Sequence, residues 1–517
     1  MQLFQIRNIL VITICLFFQL KVEAQTARKP NIIIFMVDDM GWQDTSVPFW
    51  KRTTPLNRRY HTPHMERLAK EGMKFTNAYA TPICTPTRVS LITGVNAART
   101  RVTQWTNPNK DTNTDYPDTL FQSVKWNLNG FSPKAGVAST YHALALPQIL
   151  QDHGYYTVHS GKAHFGSAGT PGSDPLQVGF LVNIAGSEIG HPASYFGEKN
   201  YDNPRNGKPN RNAVPGLEKY HGTDTFLSDA ITYEALDALK KPIADRQPFF
   251  LYLSHYAVHT PIEADKRYVD RYLKLGLSPT EAAYASLIEG MDKSLGDVLS
   301  FLDQEKIAEH TLIIFMSDNG GLSLTPPRGG KEWTHNLPLK GGKGSVFEGG
   351  IREPMLVRWP EKVKAKSVAN QYVIIEDFMP TILEVAGIKN PSLPQKMDGK
   401  SFLPILEKPS YRDQQRELLW HHPNRWTVKD SLSNNWASAF RKGDWKVIYN
   451  YRSGKLALYN LKKDLSEEHD LAPAEPKQLK KLARYFTASL KAHGAQMPYF
   501  LTTGKPVPWP DEVIGAK

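Results

Sequence analysis

The chain has 517 residues, 40% hydrophobic and 22% charged, the composition of a soluble globular protein long enough to bury a large core in more than one domain or subdomain. No internal repeat, coiled coil or low-complexity segment interrupts it. Its net charge is +12, and because the basic residues are scattered without a long Lys/Arg block, a polyanionic substrate fits the charge better than a nucleic acid.

The first element is a basic residue, Arg7, followed by an apolar run from Ile9 to Leu20 and the small-residue signal Val22-Glu23-Ala24. That pattern predicts an export signal peptide over residues 1–24, cleaved before Gln25. The run is too short to span a bilayer, so no integral membrane span is expected and the mature protein is expected to be periplasmic or secreted. Ile12-Thr13-Ile14-Cys15 is not a lipoprotein cleavage site, because the residue before the cysteine is not small. Cys15 therefore leaves with the signal. Cys84 is then the sole cysteine, and in an exported protein it is either a small buried hydrophobe or chemically special.

Asn31 to Val37 is a continuous apolar run ending in Asp38-Asp39, the pattern of a strand buried on both faces. Thr62-Pro63 opens a helix with Met65, Leu68 and Ala69 on one face and Gly72 at its end. Cys84 stands just before a helix expected from Pro86 to Thr93, and a helix N-terminus favours an anion. Tyr156 to Ser160 reads as a strand running into Gly161-Lys162-Ala163-His164, and Phe249 to Ser254 as one leading to His259. Ser278-Pro279-Thr280-Glu281 is a capping box for a helix carrying Leu287, Met291, Leu295, Val298 and Leu302. A strand from Thr311 to Ser317 then stops at Asp318-Asn319. Strands and helices in alternation predict a mostly parallel sheet, whose ligands gather at the carboxyl ends of its strands. The segments 107–137 and 194–223, rich in Asn, Gly and Pro, are expected to be loops that shape a cleft.

The pattern changes after Tyr411. Ser438 to Arg441, Trp445 to Tyr449 and Lys455 to Asn460 read as short antiparallel strands, followed by a helix from Pro476 to His493. The expected organisation is a catalytic domain over 25–410 and a C-terminal subdomain over 411–517.

Two sets of residues carry chemistry. Asp38, Asp39, Asp318 and Asn319 offer hard oxygen ligands suited to Ca²⁺ or Mg²⁺, and clustered carboxylates repel one another unless a cation holds them. Arg88, Lys162, His164, His259 and Lys343 would surround an oxyanion group with positive charge and donors.

The stretch Cys84-Thr85-Pro86-Thr87-Arg88, continued by Leu91-Ile92-Thr93-Gly94, resembles the signature of the type I, formylglycine-dependent sulfatases, with Thr87 where that family most often has Ser. Asp38-Asp39-Met40-Gly41-Trp42, Gly161-Lys162-Ala163-His164, His259-Thr260-Pro261, Ser317-Asp318-Asn319-Gly320 and the segment from Gly342 to Pro354 resemble the family's other motifs in their usual order. The resemblance implies an alkaline-phosphatase-like α/β/α sandwich with a smaller C-terminal subdomain containing a short antiparallel sheet and a helix. It implies that Cys84 is oxidised to formylglycine (3-oxoalanine) by a formylglycine-generating or sulfatase-maturating enzyme. The hydrate of that aldehyde attacks sulfur, and the aldehyde allows sulfate to leave by elimination.

Carried over, Asp38, Asp39, Asp318, Asn319 and the modified Cys84 bind Ca²⁺. Arg88 holds the hydrate, Lys162 the sulfate, and Asp318 takes the proton of the attacking hydroxyl. His164 deprotonates the second hydroxyl, while His259 and Lys343 bind sulfate and protonate or stabilise the leaving oxygen. Asp44 to Trp50 and Arg58 to Arg67 resemble sulfatases that polysaccharide-degrading bacteria export. The expected substrate is a sulfated glycan, an algal polysaccharide in preference to a host glycosaminoglycan. Trp420-His421-His422-Pro423 corresponds to a C-terminal loop over the substrate, which makes His421 and His422 candidate substrate contacts. The rival readings are a phosphate or phosphonate ester hydrolase of the same superfamily and a catalytically silent glycan-binding homologue.

Overall fold

A computed structural model describes residues 29–322, 334–428 and 434–515. The export signal expected over residues 1–24, with Cys15, lies outside the described residues.

Nine strands, β1 (Asn31–Val37), β2 (Met73–Tyr79), β3 (Tyr156–Gly161), β4 (Val182–Ile184), β5 (Phe249–Ser254), β6 (Thr311–Ser317), β7 (Arg352–Arg358), β8 (Ser367–Ala369) and β9 (Val373–Ile374), make one sheet. Their spatial order is β8-β2-β7-β6-β1-β5-β3-β4, with β9 also pairing with β2. Only β7 runs antiparallel to its neighbours β2 and β6; every other pairing is parallel. The apolar runs are continuous because both faces are covered. In β1, Ile32, Ile34 and Met36 enter one core while Ile33, Phe35 and Val37 enter the other, as the two-residue period of a strand requires.

Leu227–Ala244 and Pro279–Gln304 pack with the second core, and Cys84–Thr93 and Phe378–Val385 with the first, giving the α/β/α sandwich. The helix after Cys84 begins at the cysteine itself, two residues before the expected Pro86. No helix among the described residues is long and apolar enough to cross a membrane.

The parallel topology brings the carboxyl ends of β1, β3, β5 and β6 to one rim. The reversed β7 delivers its amino end there, together with the Gly-rich segment that precedes it. Close backbone approaches fix this rim. Gly161, at φ 94°, ends β3 where a Cβ would lie 1.9 Å from the Ser254 carbonyl oxygen, and only glycine fits both demands. At Gly320 a Cβ would lie 1.9 Å from the carbonyl oxygen of Gly349, so the end of β6 and the segment before β7 pack backbone to backbone.

A second sheet follows, β10 (Glu417–Arg425), β11 (Asn435–Lys442), β12 (Trp445–Asn450) and β13 (Lys455–Asn460), antiparallel in that order. One face, with Leu419, Phe440, Val447 and Leu458, packs on the helix Pro476–Ala492. The other, with Leu418, Trp420, Ala439 and Ile448, joins the first core of the large sheet. β10 is a correction to the sequence reading: Trp420-His421-His422-Pro423, expected as a loop, lies inside it. The proline is tolerated because β10 is an edge strand whose register shifts between His422 and Arg425.

Candidate active site

Cys84 opens a helix of ten residues, all buried, with its Sγ 3.6 Å from His164 Nδ1. The His164 Nε2 lies 3.0 Å from the Thr106 carbonyl oxygen. That carbonyl only accepts, so Nε2 carries the proton and Nδ1 is the acceptor, 3.3 Å from Thr85 Oγ1 and 3.6 Å from Cys84 Sγ. Burial, with Lys162 second, pushes the His164 pKa well below the ordinary value, so the ring is neutral at pH 7.

Behind the cysteine the motif's arginine is fully buried. Arg88 donates from Nε and Nη2 to Asp318 Oδ2 at 3.1 and 2.8 Å, and from Nη1 to the Lys162 carbonyl oxygen at 3.0 Å. Lys162 Nζ lies 2.6 Å from Asp38 Oδ2, and Lys343 Nζ 2.7 Å from Asp39 Oδ1. Three carboxylates and three permanent cations thus sit together, out of water. Burial pushes the Asp39 carboxyl up, but Lys343, His259 and Lys162 outweigh it and hold the group well below the usual carboxylate range. Asp38 goes the other way: burial and the Asp318 charge raise it.

The hydrogen-bond accounting is incomplete on one side of the cluster. Asp38 Oδ1, Asp39 Oδ2 and Asn319 Oδ1 are buried with no hydrogen-bond partner. An orphaned buried acceptor costs about 1–3 kcal/mol, and more if charged, so the three together offer ligands that a cation would satisfy. All are hard oxygens from the ends of β1 and β6, the chemistry that suits Ca²⁺ or Mg²⁺ and not a thiolate metal. Asp38, Asp39 and His259 can also bring one ligand atom each within 4.8 Å of one another. Asp39 and His164 adopt left-handed φ of 61° and 52°, uncommon for non-glycine residues.

His259 Nε2 is 3.5 Å from Asp39 Oδ2, and its Nδ1 is 3.1 Å from the Thr260 carbonyl oxygen. Burial and then Lys343 push its pKa well below the ordinary value. Its ring stacks on His191, with centroids 5.5 Å apart and planes 3° from parallel. Asn212 Nδ2 is 3.0 Å from His191 Nε2.

Cys84, His164, His259 and Lys343 all line one cleft of about 560 Å³, whose walls include Trp105, Tyr116, His191, Arg211 and Trp426. The two loops expected to shape a cleft do so, 107–137 through Tyr116 and 194–223 through Arg211 and Asn212. His191, Arg211 and Tyr116 were not singled out from sequence, since they lie in stretches with no periodicity.

His421 and His422 stand apart from the other expected site residues. Both are buried in β10 and neither lines this cleft. His421 Nδ1 is 2.8 Å from Ser438 Oγ and its Nε2 3.1 Å from the Gln496 carbonyl oxygen, while His422 Nδ1 is 3.1 Å from the Thr103 carbonyl oxygen. Burial lowers them to about 3 and about 4. In this arrangement they tie β10 to β11, to the segment at Gln496 and to the loop at Thr103.

A profile described as "Sulfatase" matches residues 30–388, and one described as "N-sulphoglucosamine sulphohydrolase, C-terminal" matches residues 342–496. The chain belongs to the sulfatase family. This sulfatase is 29% identical to a "Sulfatase" of Formosa agariphila, over 87% of the chain and 86% of that relative. It is 31% identical to the N-acetylgalactosamine-6-sulfatase of Mus musculus, over 78% of the chain and 70% of that enzyme. Among solved structures, Ps i-CgsB superposes with a TM-score of 0.68 at 26% identity, over 89% of the chain and 93% of that structure. It has also been solved in complex with k-i-k-neocarrahexaose. The sulfatase is a sulfuric ester hydrolase of the alkaline phosphatase superfamily.

Proposed function

We propose that the chain is an exported, Ca²⁺- and formylglycine-dependent sulfatase that hydrolyses sulfate esters of an algal sulfated polysaccharide or its oligosaccharides. The observation that carries the reading is the acceptor Nδ1 of His164 beside Cys84, next to a buried set of cations and orphaned oxygens. The carrageenan oligosaccharide bound by Ps i-CgsB supports the choice of glycan. Residues 1–24 are the export signal, 25–410 the catalytic domain and 411–517 the C-terminal subdomain.

Oxidised by a formylglycine-generating or sulfatase-maturating enzyme, residue 84 supplies a hydrated aldehyde, with one hydroxyl to attack sulfur and a second whose deprotonation releases sulfate. Asp38, Asp39, Asp318, Asn319 and residue 84 would hold Ca²⁺, which would supply fixed positive charge for binding an anionic ester. Asp38, Asp39 and Asp318 face Arg88, Lys162 and Lys343, so a dication and a monoanionic ester together would add a single positive charge to the cluster.

Arg88 orients the hydroxyl of residue 84 and Asp318 accepts the proton of the attacking one. Lys162 binds sulfate. Lys343, held charged by Asp39 despite its burial, binds sulfate and stabilises the leaving oxygen. His164 Nδ1 accepts the proton of the second hydroxyl. His259, neutral beside Lys343, gains proton affinity when an anionic ester binds next to it and protonates the leaving alcohol.

Metal analysis of active protein should find calcium, and Asp318→Ala should lose both the metal and turnover, the latter by at least about 10²-fold. Normal rates in metal-free protein contradict this.

A second expected result concerns His259. A sugar alkoxide needs a proton to depart, whereas a nitrophenolate leaves without one. His259→Ala should therefore slow a sugar sulfate more than an aryl sulfate in protein equally modified at residue 84. Equal losses on the two substrates, with chemistry limiting the rate, would assign His259 to sulfate binding alone.

A further inference from the structure

A second cleft, of about 1160 Å³, shares no lining residue with the catalytic one. It lies between the β2 and β8 edge of the large sheet and the β11–β12 turn at Gly443-Asp444, with the segment from Leu461 to His469 along one side. Lys51, Lys74, Arg412, Lys462 and Lys463 line it, and among the described residues none of the five pairs with a carboxylate. Lys74 is half-buried, and among the described residues its ammonium donates only to the Pro48 carbonyl oxygen. Burial lowers its pKa, so a nearby anion would relieve a real cost. Trp50, half-buried at the same wall, already holds the Arg52 guanidinium over its ring at 5.4 Å.

We propose that this cleft binds a second stretch of the sulfated polysaccharide, several sugars away from the ester being cleaved. The proposal rests on the substrate class assigned above. Spaced cations suit a chain whose sulfates are separated by hydroxyl-bearing sugars. The interleaved Asp413, Asp444, Asp464 and Glu468 can accept hydrogen bonds from those hydroxyls, whereas they oppose the dense, uniform charge of a nucleic acid backbone. Trp50 offers an aromatic face for a sugar ring.

Affinity electrophoresis of the full chain in gels containing iota-carrageenan, dextran sulfate, neutral dextran or duplex DNA tests it. Arg412, Lys462 and Lys463 are exposed, so Arg412→Ser/Lys462→Ser/Lys463→Ser is expected to fold, and Trp50→Ala is an independent second variant. Wild type should be retarded by the sulfated polymers and not by neutral dextran. The triple variant should lose at least about fivefold in apparent affinity, with weaker salt dependence, while its kcat/KM on an aryl sulfate stays within about twofold of wild type. Unchanged retardation of both variants would overturn the cleft assignment. So would equal retardation by duplex DNA that falls in the same variants, or a change in oligomeric state that accounts for the loss. Retardation is read on binding alone, so failure to hydrolyse any sulfate ester would sink the functional reading without imitating a failure of this one.

Discussion

Cys84→Ala is expected to fold as wild type and to lose at least about 10³-fold in turnover on any sulfate ester, because it removes the nucleophile's only precursor. The thiol lies at the wall of the cleft, 3.6 Å from His164 Nδ1, so deleting one sulfur atom at the first residue of a buried helix leaves the core intact. Equal thermal stability with abolished turnover separates a chemical role from a packing role. Cys84→Ser should behave in the same way when the maturating enzyme supplied does not accept serine. Activity of either variant near the wild-type level would remove the nucleophile from the account.

Lys446→Met is expected to destabilise the fold by about 3–5 kcal/mol, the cost of breaking one partner out of a buried ionic group. Lys446 Nζ, in β12, lies 2.9 Å from Glu348 Oε1 and 2.9 Å from Glu467 Oε1, and all three side chains are fully buried. Glu348 Oε2 accepts from Arg352 Nε and from the Tyr79 hydroxyl, each at 2.7 Å, and Glu467 Oε2 accepts from the Glu348 backbone N–H at 2.6 Å. Burial pushes Glu348 up, yet Lys446, Arg352 and Arg441 keep it well below its usual range, while burial raises Glu467 to about 7.

Removing the lysine leaves Glu348 with Arg352 as its remaining ion-pair partner and strips Glu467 of the cation it shares with Glu348. Chemical denaturation measures the loss, and adding Glu467→Gln to Lys446→Met should restore part of it, since the two residues act as a unit. Because Glu348 begins the helical turn after the loop that carries Lys343, turnover should fall as well. A Lys446→Met protein as stable as wild type would show that this network contributes nothing.

Much of the site was legible in the sequence for a geometric reason. In a parallel sheet a continuous apolar run must end at a rim, so the polar residues after Val37, Ser160, Ser254 and Ser317 meet in space although they are far apart in the chain. The same reasoning missed whatever lacks a period. His191, stacked on His259, sits in a Gly/Pro-rich segment whose fold depends on tertiary contacts.

Lys446 alternates with apolar neighbours and reads as a solvent-facing strand position, yet its face packs against the large domain. β10 was hidden because His-His-Pro interrupts its apolar pattern; burial of both histidines follows from pairing with β11, which no local signal announces.

The central claim, that this sulfatase works through a formylglycine made from Cys84, is tested most directly by the mass of the peptide containing residue 84. Preparations from hosts with and without a maturating enzyme should be compared with their specific activity on a sulfate ester. The account predicts that the aldehyde-bearing fraction rises in proportion to specific activity and extrapolates to zero turnover at zero aldehyde. Full activity in protein whose residue 84 is entirely thiol would contradict it.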